Sequence, residues 1–222
     1  MSPARCRQIF LHLRAANPHP HTELIYRTPF ELLIAVILSA QATDKSVNLA
    51  TRELFKRAPT AQAMLALGYA GLQQYIRTIG LHNAKARNII ATCQLLVERY
   101  GGEVPRDRSA LEELPGVGRK TANVVLGSWF KIAEGVVVDT HVHRISRRLE
   151  LTMNNDPQKI EQDLMRIIPR EKWILFSHQI IWHGRKLCIA RKPKCVECPL
   201  ENICHAADKT WSTVDMHKDA KG

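Results

Sequence analysis

The chain has 222 residues, of which 45% are hydrophobic, and its formal charge at pH 7 is +11. This length permits one large domain or two small ones with a real core, and the hydrophobic content excludes wholesale disorder. The excess of positive charge favours a polyanion as the partner, which is DNA, RNA or an anionic membrane surface.

Two features predict an intracellular protein. The longest apolar block, residues 32–38, is far too short to span a bilayer. The N-terminal segment 1–7 is not followed by an apolar core of the kind found in secretory signals. In an intracellular chain, the six cysteines are expected to be thiols or metal ligands rather than disulfides.

Helix caps and helix breakers alternate along the first third of the chain. Residues 28–31, with the sequence Thr-Pro-Phe-Glu, form a capping box that opens an apolar helix, which we expect to be buried. Asp44 is the expected cap of the next helix, which runs toward Arg57. Pro59-Thr60 and Gly68 then bracket a short helix.

Helix caps and helix breakers also predict the helices of the middle third. Gly80 and Asn83 precede a long helix that reaches Tyr100 and ends at Gly101-Gly102. Residues 109–112, with the sequence Ser-Ala-Leu-Glu, form a second capping box. This box is expected to open the first helix of a hairpin.

The final third completes an all-α prediction. Asp156-Pro157 starts a helix that Pro169 closes, and a last long helix covers about 171–188. Only 136–138, three consecutive valines, is strand-like, and three residues do not make a sheet. No flexible linker divides the chain, so two lobes would share a tight junction. The tail from Lys209 onward is polar and expected to be loose, although Trp211 offers an apolar side chain that can dock.

A glycine hairpin at 114–118 is followed by Arg119 and Lys120. Gly116 and Gly118 carry no side chain, so backbone N–H groups can approach an anion closely where the next helix begins. For a strongly basic protein the best candidate anion is a nucleic-acid phosphate, a contact that reads no base sequence. The hairpin therefore predicts a site of contact with a nucleic-acid backbone.

Two interpretations of Lys120 are open. By position alone it is an ordinary cation that adds another phosphate contact. Alternatively, the partial positive charge of a helix N-terminus biases the lysine toward the neutral amine, which is a nucleophile. The second interpretation gains weight if a carboxylate faces the amine.

Four cysteines near the C-terminus have the spacing C-x6-C-x2-C-x5-C and predict a metal site. The ligands are Cys188, Cys195, Cys198 and Cys204. Zinc usually takes two close pairs, whereas only one close pair exists here, so the spacing leans slightly to an iron–sulfur cluster. The first interval carries Arg191, Lys192 and Lys194 and no acid, which predicts a metal-pinned basic loop that binds phosphates, the alternative being a solvated basic face. Cys6 and Cys93 are expected to be small buried apolar residues.

Asp139 follows the apolar segment 136–138 and precedes the sequence Thr140-His141-Val142-His143-Arg144. One interpretation is a helix N-cap. The other is a carboxylate facing a cleft, where it takes a proton from Lys120 or stabilises developing positive charge. The arginines at 144, 147 and 148 are expected to serve DNA contacts or surface ion pairs.

Together these motifs closely resemble the endonuclease III family of helix-hairpin-helix DNA glycosylases. The resemblance runs from about residue 7 to residue 208 and rests on 38–44, the hairpin with its lysine, 138–142 and the cysteine quartet. It implies an all-α fold of two helical lobes flanking a DNA-binding cleft. It places a six-helix bundle with the helix-hairpin-helix at 22–132, a discontinuous iron–sulfur domain at 1–21 plus 133–208, and a polar tail at 209–222.

The resemblance also implies roles for individual residues. Lys120 would attack the deoxyribose C1′, and Asp139 would assist. Gln41 would fill the hole left by an extruded base, and Leu81 would wedge the strand open. The alternatives are a helix-end hydrogen bonder for Gln41 and a core leucine for Leu81. The further DNA-binding residues are Gly116, Val117, Gly118, Arg119, Arg191, Lys192 and Lys194. The substrate pocket would include Asp44, Thr140 and His141.

The function implied is that of a bifunctional DNA glycosylase and AP lyase in base excision repair. It would remove oxidised pyrimidines from duplex DNA by lysine attack at C1′, Schiff-base formation and β-elimination 3′ to the lesion, with a structural [4Fe–4S] cluster as cofactor. Its partner would be double-stranded DNA with a damaged base or an abasic site. The protein is expected to be a cytoplasmic monomer without a membrane partner, and to be associated with the nucleoid if bacterial.

Three other functions compete with this one. An adenine-mismatch glycosylase shares the cluster and the hairpin but lacks the lysine and carries a further C-terminal domain, whereas this chain has Lys120 and ends soon after the quartet. A non-catalytic DNA-binding module would use the metal only to pin the basic loop. A small iron–sulfur electron carrier does not explain the helical bulk or the hairpin.

Overall fold

The computed structural model describes residues 2–210, which are helical with short turns and contain no strand. The described residues fall into two compact units. One, the continuous unit, is Thr22–Glu134. The other, the discontinuous unit, comprises the described residues of Met1–His21 and Gly135–Gly222. The all-α prediction is confirmed.

The continuous unit contains six α-helices. In chain order they are α2 Pro29–Ser39, α3 Asp44–Arg57, α4 Ala61–Ile76, α5 His82–Tyr100, α6 Arg108–Glu112 and α7 Arg119–Val125. A π-helical turn, Leu126–Phe130, follows α7. The predicted helices over this part of the chain are thus present.

Helix α2 forms the centre of the continuous unit. Its residues 30–38 are all buried, as the apolar pattern on every face predicts. Each fully buried leucine or isoleucine contributes about 1.5–3 kcal/mol relative to an exposed one, so this helix supplies much of the core. The single acid, Glu31, is 1% exposed and pairs with the guanidinium of Arg27 at 2.8 Å.

The discontinuous unit contains four α-helices. They are α1 Pro3–Ala16, α8 Thr140–Arg148, α9 Pro157–Ile167 and α10 Trp173–Lys186. Three 3-10 turns, Arg170–Lys172, Cys195–Glu197 and Glu201–Ile203, complete it. Helix α1 was not predicted. It packs on α10, where Phe10 and Phe176 meet edge to face with their ring centroids 5.4 Å apart.

Several predicted helix starts were wrong by one or two residues because a neighbouring side chain is the better cap. Thr43, not Asp44, accepts the cap bond of α3, from the N–H of Ser46 at 3.2 Å. Asp107, not Ser109, caps α6, and its carboxylate accepts from both the Ala110 N–H and the Ser109 hydroxyl. Both hydroxyl and carboxylate oxygens cap helices, so the residue that lies one position before the first helical turn takes the role.

Three further differences concern bounds and local form. Thr28 caps α2, but Glu31 reaches back to the N–H of Arg27 rather than to that of Thr28. Gly68 (φ 70, ψ 174) ends the predicted short helix, but a second helical segment follows at once, so α4 continues to Ile76 through a kink. The three valines at 136–138 are non-helical, and two of them are buried.

No helix within residues 2–210 combines the length and the apolar character that a membrane crossing requires. Of the tail predicted to be loose, Lys209 and Thr210 are described and bound: Lys209 Nζ donates to the Glu201 carbonyl at 2.8 Å and Thr210 Oγ1 to that of Pro193 at 2.8 Å. The predicted docking of Trp211 lies outside the described residues.

Candidate active site and iron–sulfur centre

The glycine hairpin is a tight turn between α6 and α7. Leu114 and Val117 are 2% and 4% exposed, and the Val117 N–H donates to the Leu114 carbonyl at 3.0 Å. Thr92 Oγ1 on α5 donates to the Pro115 carbonyl at 2.8 Å. Two buried apolar side chains and one hydroxyl therefore hold the turn onto the core and leave its glycines at the surface.

The two glycines of the hairpin have different reasons to be glycine. Gly116 has φ +81, and a Cβ there would lie 3.0 Å from the Asn88 side chain, so the fold itself requires a glycine. Gly118 has φ −95, and a Cβ there would meet nothing within 4 Å. The fold would accept a side chain at residue 118, so the absence of one there leaves the backbone open to an external group.

Lys120 is the second residue of α7 and is exposed. Among residues 2–210 its amine has no hydrogen bond or ion pair. Gly118, two residues before Lys120, is the N-cap of α7. The structure therefore presents an uncommitted amine beside the open glycine turn.

Gln41 and Leu81 are exposed residues in left-handed backbone, with φ 54 and φ 60. This conformation costs a non-glycine residue about 1–2 kcal/mol. Leu81 is 59% exposed, which rules out the core-leucine interpretation. Gly80 lies next to the Gln41 turn, since a Cβ on it would be 3.8 Å from the Gln41 carbonyl oxygen. Two strained, solvent-facing side chains thus project from adjacent turns.

Asp139 belongs to the discontinuous unit and is the N-cap of α8. Its Oδ1 accepts from the backbone N–H groups of His141 at 2.9 Å and Val142 at 2.8 Å. Val136 and Val137 before it are 1% and 8% exposed, and the Val137 N–H donates to Ser177 Oγ at 3.0 Å. The cap interpretation is therefore correct for one carboxylate oxygen, while Oδ2 has no hydrogen bond to any residue within 2–210.

The three candidate pocket residues differ in environment. Thr140 is exposed at the start of α8. His141 is half-buried, and burial lowers the pKa of its imidazole, with Asp139 opposing and Arg144 assisting that shift. Asp44 is the half-buried first residue of α3 and lies in the other unit.

The four cysteines of the quartet line one cavity at the end of α10, together with Arg148, His183 and Leu200. Burial first, and then the neighbouring thiols, raise the pKa of Cys198 to about 11. Its sulfur lies 3.6 Å from Nε2 of His183, which is 1% exposed. The four cysteines thus share one cavity.

The donor set fits a cluster better than a single ion. Four thiols are the ligands that an iron–sulfur cubane takes. The two carboxylates that also line the cavity are paired with cations: Glu201 with Lys209 at 3.5 Å and Asp208 with Arg148 at 2.5 Å. Within 2–210, no group of three or more His, Cys, Asp or Glu side chains closes around one metal ion.

Two arginines of α8 hold the cysteine loop, a role that the sequence did not reveal. Arg148 donates to the Cys188 sulfur at 3.2 Å and to the Ile189 carbonyl at 3.0 Å. Arg144 donates to the Cys188 carbonyl at 2.8 Å and to the Gly184 carbonyl at 3.2 Å. Of the two expected roles, the surface ion pair is present for Arg148, which also pairs with Asp208, whereas half-buried Arg144 bonds to carbonyls instead. The expected DNA contacts stay a prediction.

The basic loop between the first two cysteines is exposed. Arg191, Lys192 and Lys194 are all on the surface, and Lys192 has φ 52. The Lys194 N–H donates to the Leu187 carbonyl at 3.0 Å, which closes the loop at its base. Lys194 also lies 3.9 Å from Glu197, a weak exposed pair.

Two family models match the chain. Residues 34–170 match the HhH-GPD superfamily base excision DNA repair protein, and residues 188–204 match the iron–sulfur binding domain of endonuclease III. The first match covers the hairpin and Asp139, and the second begins and ends at cysteines of the quartet.

Curated relatives match nearly from end to end. Endonuclease III of Escherichia coli strain K12 is 51% identical over 209 residues, which are 94% of this chain and 99% of that one. Endonuclease III of Haemophilus influenzae is 52% identical over the same length and the same shares. Endonuclease III of Treponema pallidum is 53% identical over 88% of this chain and 92% of its own.

Solved structures agree with the sequence matches. A trapped endonuclease III–DNA covalent intermediate superposes with a TM-score of 0.88 at 45% identity, covering 92% of this chain and 96% of that one. A non-covalent endonuclease III–DNA complex gives the same values. A thermostable thymine-DNA glycosylase shares the fold, with a TM-score of 0.79 at 24% identity.

The fold, the hairpin and the first family match define a base excision repair protein of the HhH-GPD superfamily. Within that superfamily, the chain belongs to the endonuclease III family. It is accordingly a bifunctional DNA glycosylase and AP lyase, and its cofactor is a [4Fe–4S] cluster.

Proposed function

We propose that Lys120 is the nucleophile of this enzyme and Asp139 its assisting carboxylate. The observation that carries the proposal is the uncommitted amine of Lys120, exposed in the first turn of α7 directly after the open Gly118. A structural neighbour at 45% identity is a trapped endonuclease III–DNA covalent intermediate, and a nucleophilic lysine in this chain would account for an adduct of that kind.

The proposed reaction begins when the amine of Lys120 attacks C1′ of the damaged nucleotide. The C1′–N bond breaks, and the base leaves with the bonding electron pair and acquires a proton. Loss of the amine proton and opening of the sugar give a protonated Schiff base between Lys120 and C1′. Removal of a C2′ proton then expels the 3′ phosphate, so the strand breaks 3′ to the lesion, and water releases the lysine.

Asp139 would act through the oxygen that does not cap α8. The cap fixes the carboxylate through Oδ1 and leaves Oδ2 for a proton or for developing positive charge. Thr140, His141 and Asp44 would contribute to the pocket for the extruded base. Oxidised pyrimidines are the proposed substrates, since a lesion that pairs badly is cheaper to unstack.

The duplex would be held by three sets of residues. Gln41 would occupy the space of the extruded base, and Leu81 would wedge the strand, which their exposure and strained backbone support. The hairpin residues Gly116, Val117, Gly118 and Arg119 would contact one stretch of backbone. Arg191, Lys192 and Lys194 of the basic loop would contact phosphates. The cysteines at both ends of this loop would be fixed by the bound cluster.

The domain roles and the setting of the enzyme are also proposals. Residues 22–132 would form the bundle that carries the hairpin, and 1–21 with 133–208 the iron–sulfur domain that supplies Asp139, followed by a polar tail at 209–222. The partner would be duplex DNA with a damaged base or an abasic site, bound by a monomer in the cytoplasm. Sedimentation of the holoenzyme with and without DNA tests the monomer.

Borohydride trapping tests the proposed nucleophile. Wild-type protein incubated with an abasic-site duplex and borohydride should give a covalent adduct, and Lys120→Gln should give none. Lys56→Gln is the matched control, because Lys56 is an exposed lysine at the far end of α3. If an adduct persists in Lys120→Gln, Lys120 is not the nucleophile. If the wild-type protein gives no adduct, the protein is a DNA-binding module or a monofunctional glycosylase.

A further inference from the structure

Lys85 is a buried cation that the proposed reaction does not use. It lies in the first turn of α5 and is 5% exposed. The partial positive charge of the helix N-terminus disfavours a cation at this position. Burial lowers the pKa of its amine. Burying a charged group costs free energy unless its hydrogen bonds are replaced, so the partners of this amine are informative.

The partners of the Lys85 amine are two carbonyls where α2 ends. Nζ donates to the Leu38 carbonyl at 2.9 Å and to the Ala40 carbonyl at 2.6 Å. Carbonyls at a helix C-terminus lack intrahelical partners and carry partial negative charge, so a cation is well placed there. Gln41, in its left-handed conformation, is the next residue after Ala40. The lysine thereby fixes the base of the turn that presents Gln41.

The same residue also fixes the turn that presents Leu81. The backbone N–H of Lys85 donates to the Leu81 carbonyl at 3.0 Å in the first turn of α5. Leu81 is the N-cap of that helix, and its side chain makes no cap hydrogen bond. Lys85 therefore bonds to one turn through its side chain and to the other through its backbone.

We propose that Lys85 is a positioning residue that holds the Gln41 turn and the Leu81 turn in fixed register, so that both side chains enter the distorted duplex together. This rests on the roles proposed above for Gln41 and Leu81. Lys85 touches neither DNA nor the reacting sugar in this scheme. Lys85 holds the two strained turns in their binding conformation before DNA binds. The free energy of DNA binding is then not spent on ordering them.

The test compares two substrates under single-turnover conditions. One is a duplex with 5-hydroxycytosine paired to guanine, where a base must be unstacked, and the other is a duplex with a preformed abasic site, where no base remains. Lys85→Met keeps the length of the side chain and removes the donor. We expect base release to slow about tenfold or more, since unstacking costs a few kcal/mol, while borohydride trapping on the abasic site changes less than about threefold.

Matched variants separate positioning from stability. Lys85→Arg retains a cation with donors and should restore most of the rate, and Lys56→Met should match wild type. In a Gln41→Ala/Leu81→Ala background, Lys85→Met should slow base release no further, because the side chains that it positions are gone. Lys85→Gln runs in parallel and decides the result if Lys85→Met does not fold.

The outcomes are distinguishable from failure of the proposed function. No adduct with wild-type protein rejects the lyase assignment itself, and a normal rate in the Gln41→Ala/Leu81→Ala variant rejects the roles of those residues. If the lyase assignment and the roles of Gln41 and Leu81 both hold, two results overturn the proposal for Lys85. One is that Lys85→Met slows the reaction equally on the two substrates. The other is that Lys85→Met slows base release as much in the Gln41→Ala/Leu81→Ala background as in the wild type. Loss of the fold in both Met and Gln variants also overturns it, since the side chain would then be a core stabiliser.

Discussion

Asp139 is joined to Val142 by a hydrogen bond of 2.8 Å in which the carboxylate oxygen Oδ1 accepts from the backbone N–H. The same oxygen also accepts from the His141 N–H. The Asp139 carboxylate therefore has two roles: Oδ1 caps the helix, and Oδ2 is the oxygen proposed to act in catalysis. Substitutions that keep the cap and remove the charge separate the two roles.

Asp139→Asn should retain the fold and lose base release. The asparagine carbonyl oxygen can still accept both cap bonds, but it cannot take a proton or stabilise positive charge. We expect single-turnover base release to slow on the order of a hundredfold, with DNA affinity similar or higher, because a negative charge is removed near the polyanion. Unchanged base release would reduce Asp139 to a cap.

Asp156 provides the control for this prediction. Its Oδ1 accepts from the Gln158 and Lys159 N–H groups, each at 3.0 Å, as the N-cap of α9 in the same unit. Asp156→Ala and Asp139→Ala should each lower the free energy of unfolding by about 1 kcal/mol. Only Asp139→Ala should impair base release.

The two hairpin glycines should respond differently to alanine. Gly116→Ala should destabilise the protein by about 1–2 kcal/mol, because φ is +81 and the new Cβ would press on Asn88. Gly118→Ala should leave stability nearly unchanged and weaken DNA binding, since its Cβ points into space that a phosphate would use. Chemical denaturation and fluorescence anisotropy measure the two effects, and wild-type DNA affinity in Gly118→Ala would contradict a phosphate contact there.

Arg148→Met should loosen the cysteine loop. The guanidinium bonds to the Cys188 sulfur and to loop carbonyls, and hydrogen bonds to charged groups are worth about 1.5–3 kcal/mol each. The variant should melt about 4–8 °C lower and lose iron faster to a chelator, followed by visible absorbance. Arg147→Met, at an exposed neighbour on α8, should behave as wild type; equal iron loss in both would show that Arg148 adds nothing to the loop.

Cys93 should resist alkylation in the native protein. It is fully buried, and burial raises the pKa of its thiol to about 12, so its thiolate fraction at pH 8 is on the order of 0.01%. Because the folded pKa exceeds the ordinary value of 9.0, this thiol's contribution to stability is complete below pH 9 and declines between pH 9 and 12. Mass spectrometry after iodoacetamide treatment, with Cys93→Ala as reference, tests this; equal labelling in native and denatured protein would contradict it.

Much of the fold could be predicted from local signals. The buried helix α2, the stop of α5 at Gly101 and the start of α9 after Asp156 follow from patterns within a few residues, because caps and apolar periodicity act over one or two helical turns. Errors arose where two caps stand side by side, as at Thr43 and Asp44, since sequence does not decide which oxygen reaches the N–H groups. Helix α1 was missed because its apolar face is short and has meaning only against α10.

The sequence alone determined the chemical groups: a lysine after an open glycine turn, an aspartate at a helix start, and four thiols with one spacing. Only the tertiary structure decided which distant groups support them, such as Lys85 on the carbonyls of Leu38 and Ala40, or Arg148 on the Cys188 sulfur. Local motifs consist of neighbouring residues, whereas these contacts join residues that are 40 to 47 positions apart. Such contacts depend on packing that no short stretch of sequence records.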